Sequence, residues 1–324
     1  MANVNNTGVF VISLDFELFW GMWDVSTIEK YGANILGVKQ AIPAMLNVFE
    51  KYNTEVTFAT VGFLFAKNRN ELLDSFPELK PDYTKENYDV YKNGLLNIGN
   101  DETDDAYHFG YSLLQQIKKG KHEIGTHTFS HYYCLEEGQS FNEFDADIKA
   151  AVKIAKEKDI SISSIVFPRN QINENYLILL KNNGINCYRG NPTSWIYKPR
   201  KHSDENVFIR LCRSIDAYLP IFGYNTFVIK KDNEFPINVP GSRFLKPYNK
   251  KLKWLEKLKI KRILNEMTVA AKRNELYHLW WHPHNFGLNT AENIGGLEII
   301  LAHYKTLEKK YGFKNYTMKK AAEI

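Results

Sequence analysis

Residues 9–14 (VFVISL) are apolar at nearly every position, and this run constrains the fold more than any other stretch. A strand with one wet face alternates apolar and polar residues; a run without alternation is that of a strand covered on both faces, as in a parallel sheet between helical layers. The run stops at Asp15. A second such segment, residues 55–61 (EVTFATV), closes at Gly62. Between them Val38, Ile42, Met45, Leu46 and Phe49 recur at helical spacing, with Pro43 early enough to be tolerated in a first turn.

The same alternation continues downstream. A helix over 111–119 precedes a strand over 122–126, and Ser140 with Glu143 has the spacing of a capping box ahead of an amphipathic helix. A strand over 162–167, a helix over 173–181 and a short strand over 185–188 follow. Residues 207–211 and 226–230 read as strands in a weaker region, and residues 276–281 (LYHLWW) as a late strand before a closing helix over 294–309. Strand alternating with helix predicts an α/β fold built on a parallel sheet or barrel, with functional groups at the strand ends. The whole chain, 1–324, is expected to be one domain. Residues of about 67–110 break its rhythm with prolines, asparagines and the acidic run 101–105, and read as an insertion, a candidate lid.

With 324 residues, 44% hydrophobic and 24% charged, the chain has the composition of a globular soluble protein with a sizeable core. A net charge of +5 without a basic block gives no nucleic-acid footprint. No apolar run approaches the roughly 20 residues that span a bilayer, and the polar N-terminus lacks the features of a secretory leader. Three cysteines, Cys134, Cys187 and Cys212, form no CxxC pair and no disulfide framework. A cytoplasmic location is the expectation. The lysine-rich helix over 250–272 reads as a solvated outer helix, with a weak membrane-surface contact as the alternative.

Four predicted strand ends carry chemistry-capable groups: Asp15 and Glu17, His127 and His131, Arg169, and His282. Two histidines four apart can converge on one cation, and two histidines with a carboxylate suit zinc with a position left for water. Zinc brings the pKa of bound water near neutrality. A free carboxylate can then take a proton, a histidine can return one to a leaving amine, and an arginine can hold the base ionised. Such a set hydrolyses an amide or an ester. Phe19, Trp20 and Trp23 beyond the carboxylates could stack on a sugar ring or pack over the strand end.

The chain resembles the polysaccharide deacetylase family (carbohydrate esterase family 4, the NodB-homology fold) over most of its length. Where that family has Thr-Phe-Asp-Asp, this chain has Ser13-Leu14-Asp15-Phe16-Glu17, and its His-(Ser/Thr)-x-x-His motif is matched by His127-Thr128-Phe129-Ser130-His131. The lead-in 120–125 (GKHEIG) and the phrase 52–58 (YNTEVTF) are also typical of the family. The Arg-x-Pro-Pro motif corresponds to Phe167-Pro168-Arg169-Asn170-Gln171, with the arginine after the proline. The Leu-x-Leu-His motif corresponds to Leu279-Trp280-Trp281-His282. For the fourth family region Tyr188-Arg189-Gly190 and Trp195 are candidates.

The resemblance implies a distorted (β/α)7 barrel, a divalent metal, most often Zn2+, and removal of an N-acetyl or similar N-acyl group from an amino sugar. It implies Glu17, His127 and His131 as metal ligands, Asp15 as the base acting on a metal-bound water nucleophile, Arg169 as its partner and His282 as the acid. Exchange of the two carboxylates' roles, and His284 in place of His282, are the alternatives. Trp20, Tyr132 and Trp281 complete the set as substrate contacts, Tyr132 through a backbone N–H at the oxyanion. Cys134 is a further candidate soft ligand. Without an export signal, the expected substrate is a nucleotide- or lipid-linked sugar of surface-polysaccharide assembly rather than a finished polymer. A non-sugar amidase and a catalytically inactive glycan-binding protein are the competing readings.

Overall fold

A computed structural model of the chain describes residues 7–228 and 235–324. Nine strands are present among the described residues: β1 (Val9–Phe16), β2 (Thr57–Thr60), β3 (Glu123–Thr126), β4 (Ser164–Ile165), β5 (Cys187–Tyr188), β6 (Ile237–Asn238), β7 (Arg243–Phe244), β8 (Leu276–Trp281) and β9 (Lys314–Tyr316). They pair in the order β6-β5-β4-β3-β2-β1-β8-β7, with β9 also on β1, and every pairing is parallel. The sheet curls into a distorted β/α barrel. Its helices are α1 (Ile28–Leu36), α2 (Val38–Lys51), α3 (Arg69–Asp74), α4 (Tyr111–Lys119), α5 (Phe141–Lys156), α6 (Leu177–Asn182), α7 (Val207–Asp216), α8 (Glu256–Arg273), α9 (Thr290–Tyr311) and α10 (Met318–Ala322).

The unbroken apolar run of β1 has the cause its sequence suggests. Successive side chains point to opposite faces of a strand, and both faces here are buried. Phe10, Ile12, Leu14 and Phe16 join the outer core with Ile42, Met45 and Phe49 of α2, Met267 of α8 and Leu297 and Ile300 of α9. Val9 and Val11 join a smaller inner core with Ala59, Val166, Cys187, Val239 and Leu276. Continuing the inner row along β1 gives Ser13 and then Asp15. Parity alone therefore aims Asp15 into the barrel mouth.

Several local expectations are corrected. Residues 207–211 form the first turns of α7, because Val207, Leu211 and Ile215 share one helical stripe and the Asn206 side chain caps the Ile209 N–H at 2.8 Å. Of the strand expected over 226–230, Phe227 makes a single antiparallel bridge to Leu276, and residues 229–230 lie outside the described residues. The Ser140 side chain makes no cap bond to α5. The lysine-rich helix begins as a 3-10 turn over Lys250–Leu255 before α8, which buries Ile263, Met267, Ala270 and Ala271. Residues 67–110 follow an irregular course of short helical turns, and Tyr83 and Tyr88 from it pack on Tyr133 after the histidine turn.

Candidate active site

The groups singled out at the ends of β1, β3 and β8 meet at the C-terminal mouth of the barrel. Glu17 lies just past β1, His127 is the first residue after β3, and His282 the first after β8. The Glu17 Oε2 lies 3.2 Å from His127 Nε2 and 3.2 Å from His131 Nε2. The three ligand atoms lie within 4.8 Å of one another and all three residues are buried. His127 Nδ1 donates to the Val166 carbonyl at 2.8 Å, which leaves Nε2 as the lone-pair nitrogen facing Glu17. His131 Nδ1 is 3.2 Å from the Tyr133 hydroxyl. A divalent cation fits this donor set, which matches two imidazoles and one carboxylate.

The turn carrying the histidines is strained and braced. Thr128 and His131 both adopt left-handed backbone, with φ of 62° and 58°, a conformation costly for a β-branched residue. Asp147 of α5 offsets that cost by accepting the N–H groups of Phe129 (2.7 Å) and Ser130 (3.1 Å) and the Ser130 hydroxyl. Burial pushes the Asp147 carboxyl up to about 6 despite these donors. On the other side Gly21 leaves room for Glu17: a Cβ there would lie 2.0–2.5 Å from the Glu17 carboxyl group.

Asp15 has a different partner. Arg189, the first residue after β5, grips it through Nη1 (2.8 Å) and Nη2 (2.7 Å). Arg189 also donates to Ser13 Oγ at 3.0 Å, and Ser13 Oγ lies 2.8 Å from His278 Nε2. Burial works against ionisation of Asp15, but Arg189, His127 and His282 outweigh it and hold the carboxyl below its ordinary value. Glu17 is held well below its ordinary value, burial again being outweighed, here by His282, His127 and His131. Burial, reinforced by Arg189, keeps His278 neutral with its pKa near 3.

His282 Nε2 sits 3.7 Å from Asp15 Oδ2 and 3.7 Å from Glu17 Oε1, and its Nδ1 is 3.2 Å from Asn285 Oδ1. Unlike the carboxylates it is partly exposed. His284 lies behind it, with rings stacked at 4.9 Å and 6°. Its buried Nδ1 makes no hydrogen bond and is 3.9 Å from Glu17 Oε1.

Four expectations fail on geometry. Arg169 does not reach Asp15; it pairs with Asp24 and lies 4.1 Å over the Tyr133 ring, because its left-handed backbone (φ 54°) belongs to a 3-10 turn after β4. Trp20 is fully buried, packed on Phe63 at 4.8 Å with its Nε1 donating to the His108 carbonyl. Trp281 points to the outer core, with its Nε1 directed at Met45 Sδ, while Trp280, one residue earlier, shares the inward parity of His278 and His282. Tyr132 is a core residue, and its N–H already donates to Thr128 Oγ1 at 2.7 Å. Cys134 is likewise buried in the core, where burial pushes its thiol well up, and the metal-competent groups among the described residues do not include it. The acidic run is spent on its own loop, where Asp101 and Asp104 accept backbone N–H groups.

The residue that sequence reasoning undervalued is Arg189. Its signal was present: an arginine directly after a short apolar strand, at a strand end like the other site residues.

Comparisons with known proteins bear on the fold and on one segment of the chain. Residues 31–188 match the family model described as polysaccharide deacetylase. No curated protein matches. Among solved structures, a candidate polysaccharide deacetylase from Mycobacterium smegmatis superposes with a TM-score of 0.61 at 11% identity, covering 100% of this chain and 92% of that one. A candidate polysaccharide deacetylase from Pseudomonas aeruginosa PAO1 gives 0.57 at 8% identity, covering 98% and 91%. The PuuE allantoinase gives 0.54 at 7% identity, covering 94% and 86%. These likenesses establish the barrel as the NodB type. Over the matched segment, which runs from α1 to β5, the chain is similar to the polysaccharide deacetylase family, and the fold around that segment is the one its solved neighbours share.

Proposed function

We propose that this protein is a divalent-metal-dependent hydrolase that removes an N-acetyl or similar N-acyl group from a carrier-linked amino sugar in surface-polysaccharide assembly. The observation that carries the reading is the division of labour between the two carboxylates. Glu17 sits between the imidazoles of His127 and His131, while Asp15 is gripped by Arg189. Glu17, His127 and His131 would hold a divalent cation, Zn2+ by the donor set, which when bound would supply Lewis acidity towards an acyl carbonyl and water.

The chain's own groups supply the rest. Asp15, kept ionised by Arg189, accepts the proton of the attacking water. His282 faces the same space through Nε2, is open to the mouth, and delivers a proton to the departing nitrogen. Asn285 holds the imidazole through Nδ1. The products are a carboxylic acid, acetate for an acetyl substrate, and a free amino sugar.

In this reading the catalytic unit extends over the full chain, with residues of about 67–110 as an insertion beside the histidine turn, and the protein works in the cytoplasm. The carrier is a nucleotide or a lipid. No helix among the described residues is long and apolar enough to cross a membrane.

The test is metal content together with acid release. Purified protein should hold one divalent cation and liberate acetate or formate from an N-acylated amino-sugar donor. Protein that takes up no divalent metal, or metal-loaded protein that releases neither acid from any such donor, contradicts the proposal.

A further inference from the structure

Beside the metal-competent mouth lies a cavity of about 530 Å³, and its charge is lopsided. Seven cationic side chains line it against one carboxylate, Glu205. Three of the seven are compensated: Arg169 by Asp24, Arg213 by Glu205, and Arg243 by Asp216 and Glu266. The other four, Lys198, Arg200, Arg210 and Lys246, pair with no carboxylate among the described residues. Arg200 and Arg210 donate only to backbone carbonyls, and Lys246 lies 5.7 Å from the Tyr218 ring centroid. Uncompensated cations around a concave wall attract an anion with several charges.

The cavity adjoins the chemistry. Asn170 and Trp280 line its inner end. Asn170 Oδ1 accepts from Arg189 Nη2 at 3.1 Å, and the Trp280 ring lies 4.1 Å from the Arg189 guanidinium. Arg189 is the residue that grips Asp15. An anionic group in the cavity would therefore be tethered one residue's width from the acyl-transfer centre.

The cavity's outer wall is α7, and this helix has a second face. Arg210, Arg213, Ser214 and Ala217 of α7 and its C-terminal end line the cavity. On its outward side Val207 (79% exposed), Phe208 (62%) and Leu211 (54%) form a stripe that runs through Ile215 and continues to Leu219 and Ile221. Trp195, itself half exposed, stacks on Phe208 at 6.4 Å. A contiguous apolar strip of this kind marks an interaction surface. One helix thus presents apolar side chains to the outside and cations to the cavity behind it, the arrangement of an amphipathic segment lying in a membrane interface. A soluble nucleotide-linked sugar would use the cations but would give no reason for the apolar face.

We infer that α7 seats the protein on an anionic lipid surface and that the cavity behind it takes the diphosphate of a polyprenyl-diphosphate-linked amino sugar. This rests on the carrier-linked substrate proposed above and selects the lipid carrier over the nucleotide. The apolar stripe enters the interface, the cations meet lipid and substrate phosphates, and the sugar projects past Trp280 towards Asp15 and Glu17. The segment 250–272, the alternative membrane contact, buries Ile263, Met267, Ala270 and Ala271 in α8 but exposes Trp254 (70%) and Leu258 (40%) at its start, so it would lie as a second, smaller contact beside α7.

Vesicle co-sedimentation tests this on the full-length, metal-loaded protein. Phosphatidylcholine vesicles are used with and without phosphatidylglycerol, and with and without a polyprenyl diphosphate. Wild type should pellet with phosphatidylglycerol vesicles at low salt, less at high salt, and more when the diphosphate is present. Phe208→Ser with Leu211→Ser should weaken pelleting at least about tenfold, with circular dichroism and metal content unchanged. Lys198→Ala with Arg210→Ala should abolish the gain from the polyprenyl diphosphate.

Wild type that stays in the supernatant with every vesicle, or a serine variant that pellets like wild type, overturns the inference. So does calorimetric binding of uridine diphosphate by protein that ignores vesicles, which would make the carrier a nucleotide. A wild-type dimer that the serine variant converts to monomer, without vesicle binding, would make α7 a contact between copies instead. Acetate release by protein that binds no vesicle would leave the deacetylase reading intact and remove this one. Vesicle binding by protein that releases no acid would do the reverse.

Discussion

Two charged regions lie next to each other in this molecule, and they are wired differently. In the barrel mouth every buried ionised group has a counterpart: Glu17 faces two imidazoles, Asp15 holds Arg189, and Asp147 is surrounded by donors from the histidine turn. In the cavity behind α7, four cations form no ion pair with a carboxylate among the described residues, and the helix that walls it exposes an apolar stripe. The mouth is preorganised, with strain in the backbone of Thr128 and His131 held by its supports. The cavity is open to an incoming partner. Chemistry requires the first arrangement and recognition the second.

The largest expected effect breaks the mouth at its ion pair. Arg189→Ala leaves Asp15 as an uncompensated buried carboxylate, and denaturant unfolding should show a loss of about 3–5 kcal/mol. Turnover should fall by about 10²-fold or more even in the fraction that stays folded. Arg169→Ala should leave turnover within a few-fold of wild type, because its partner is Asp24 and not Asp15. Equal losses of turnover in the two variants would erase the distinction between these arginines.

A smaller effect comes from a residue with no chemistry of its own. Gly21→Ala pushes a methyl group into the Glu17 carboxyl, and metal titration should show affinity weakened by about 10–100-fold, the range for disturbing a ligand's support. The same substitution should not alter binding in the cavity, so a diphosphate titration sharpens the separation of the two regions.

The smallest effect lies remote from both. His122, packed between Phe49 and Phe58 at the start of β3, is pushed down to about 4 by burial. Its neutral form is favoured by folding, so the unfolded chain binds the extra proton first as pH falls. Stability should therefore decline between pH 6.5 and about 4, by at most about 3 kcal/mol. His122→Phe should flatten that part of the pH–stability curve in thermal melts, without changing metal content.

Much of the fold was legible because β1 carries its burial in its composition, and the alternation of apolar runs with helical spacing continues as far as β5. The histidine turn and both carboxylates could be read as motifs because these groups are close together on the chain and sit at strand ends. Legibility failed where parity decides. Trp280 and Trp281 are identical as residues, and only the register of β8 against β1 shows which one faces the mouth. It failed again at Arg169 and Arg189, where a long side chain's target depends on backbone direction at a turn. Residues 207–211 misled because β-branched and aromatic residues suit a strand, yet the deciding information was the spacing of Val207, Leu211 and Ile215 and the Asn206 cap. The apolar face of α7 has the same source: a stripe that looks like core in sequence lies outside in the fold.

The division of labour between Asp15 and Glu17 is tested most directly by metal analysis of two isosteric variants. Asp15→Asn should retain one equivalent of divalent metal and release no acetate from an N-acetylated amino-sugar donor, whereas Glu17→Gln should lose the metal. An Asp15→Asn protein without metal, beside a Glu17→Gln protein that keeps it, would contradict the account and exchange the two roles.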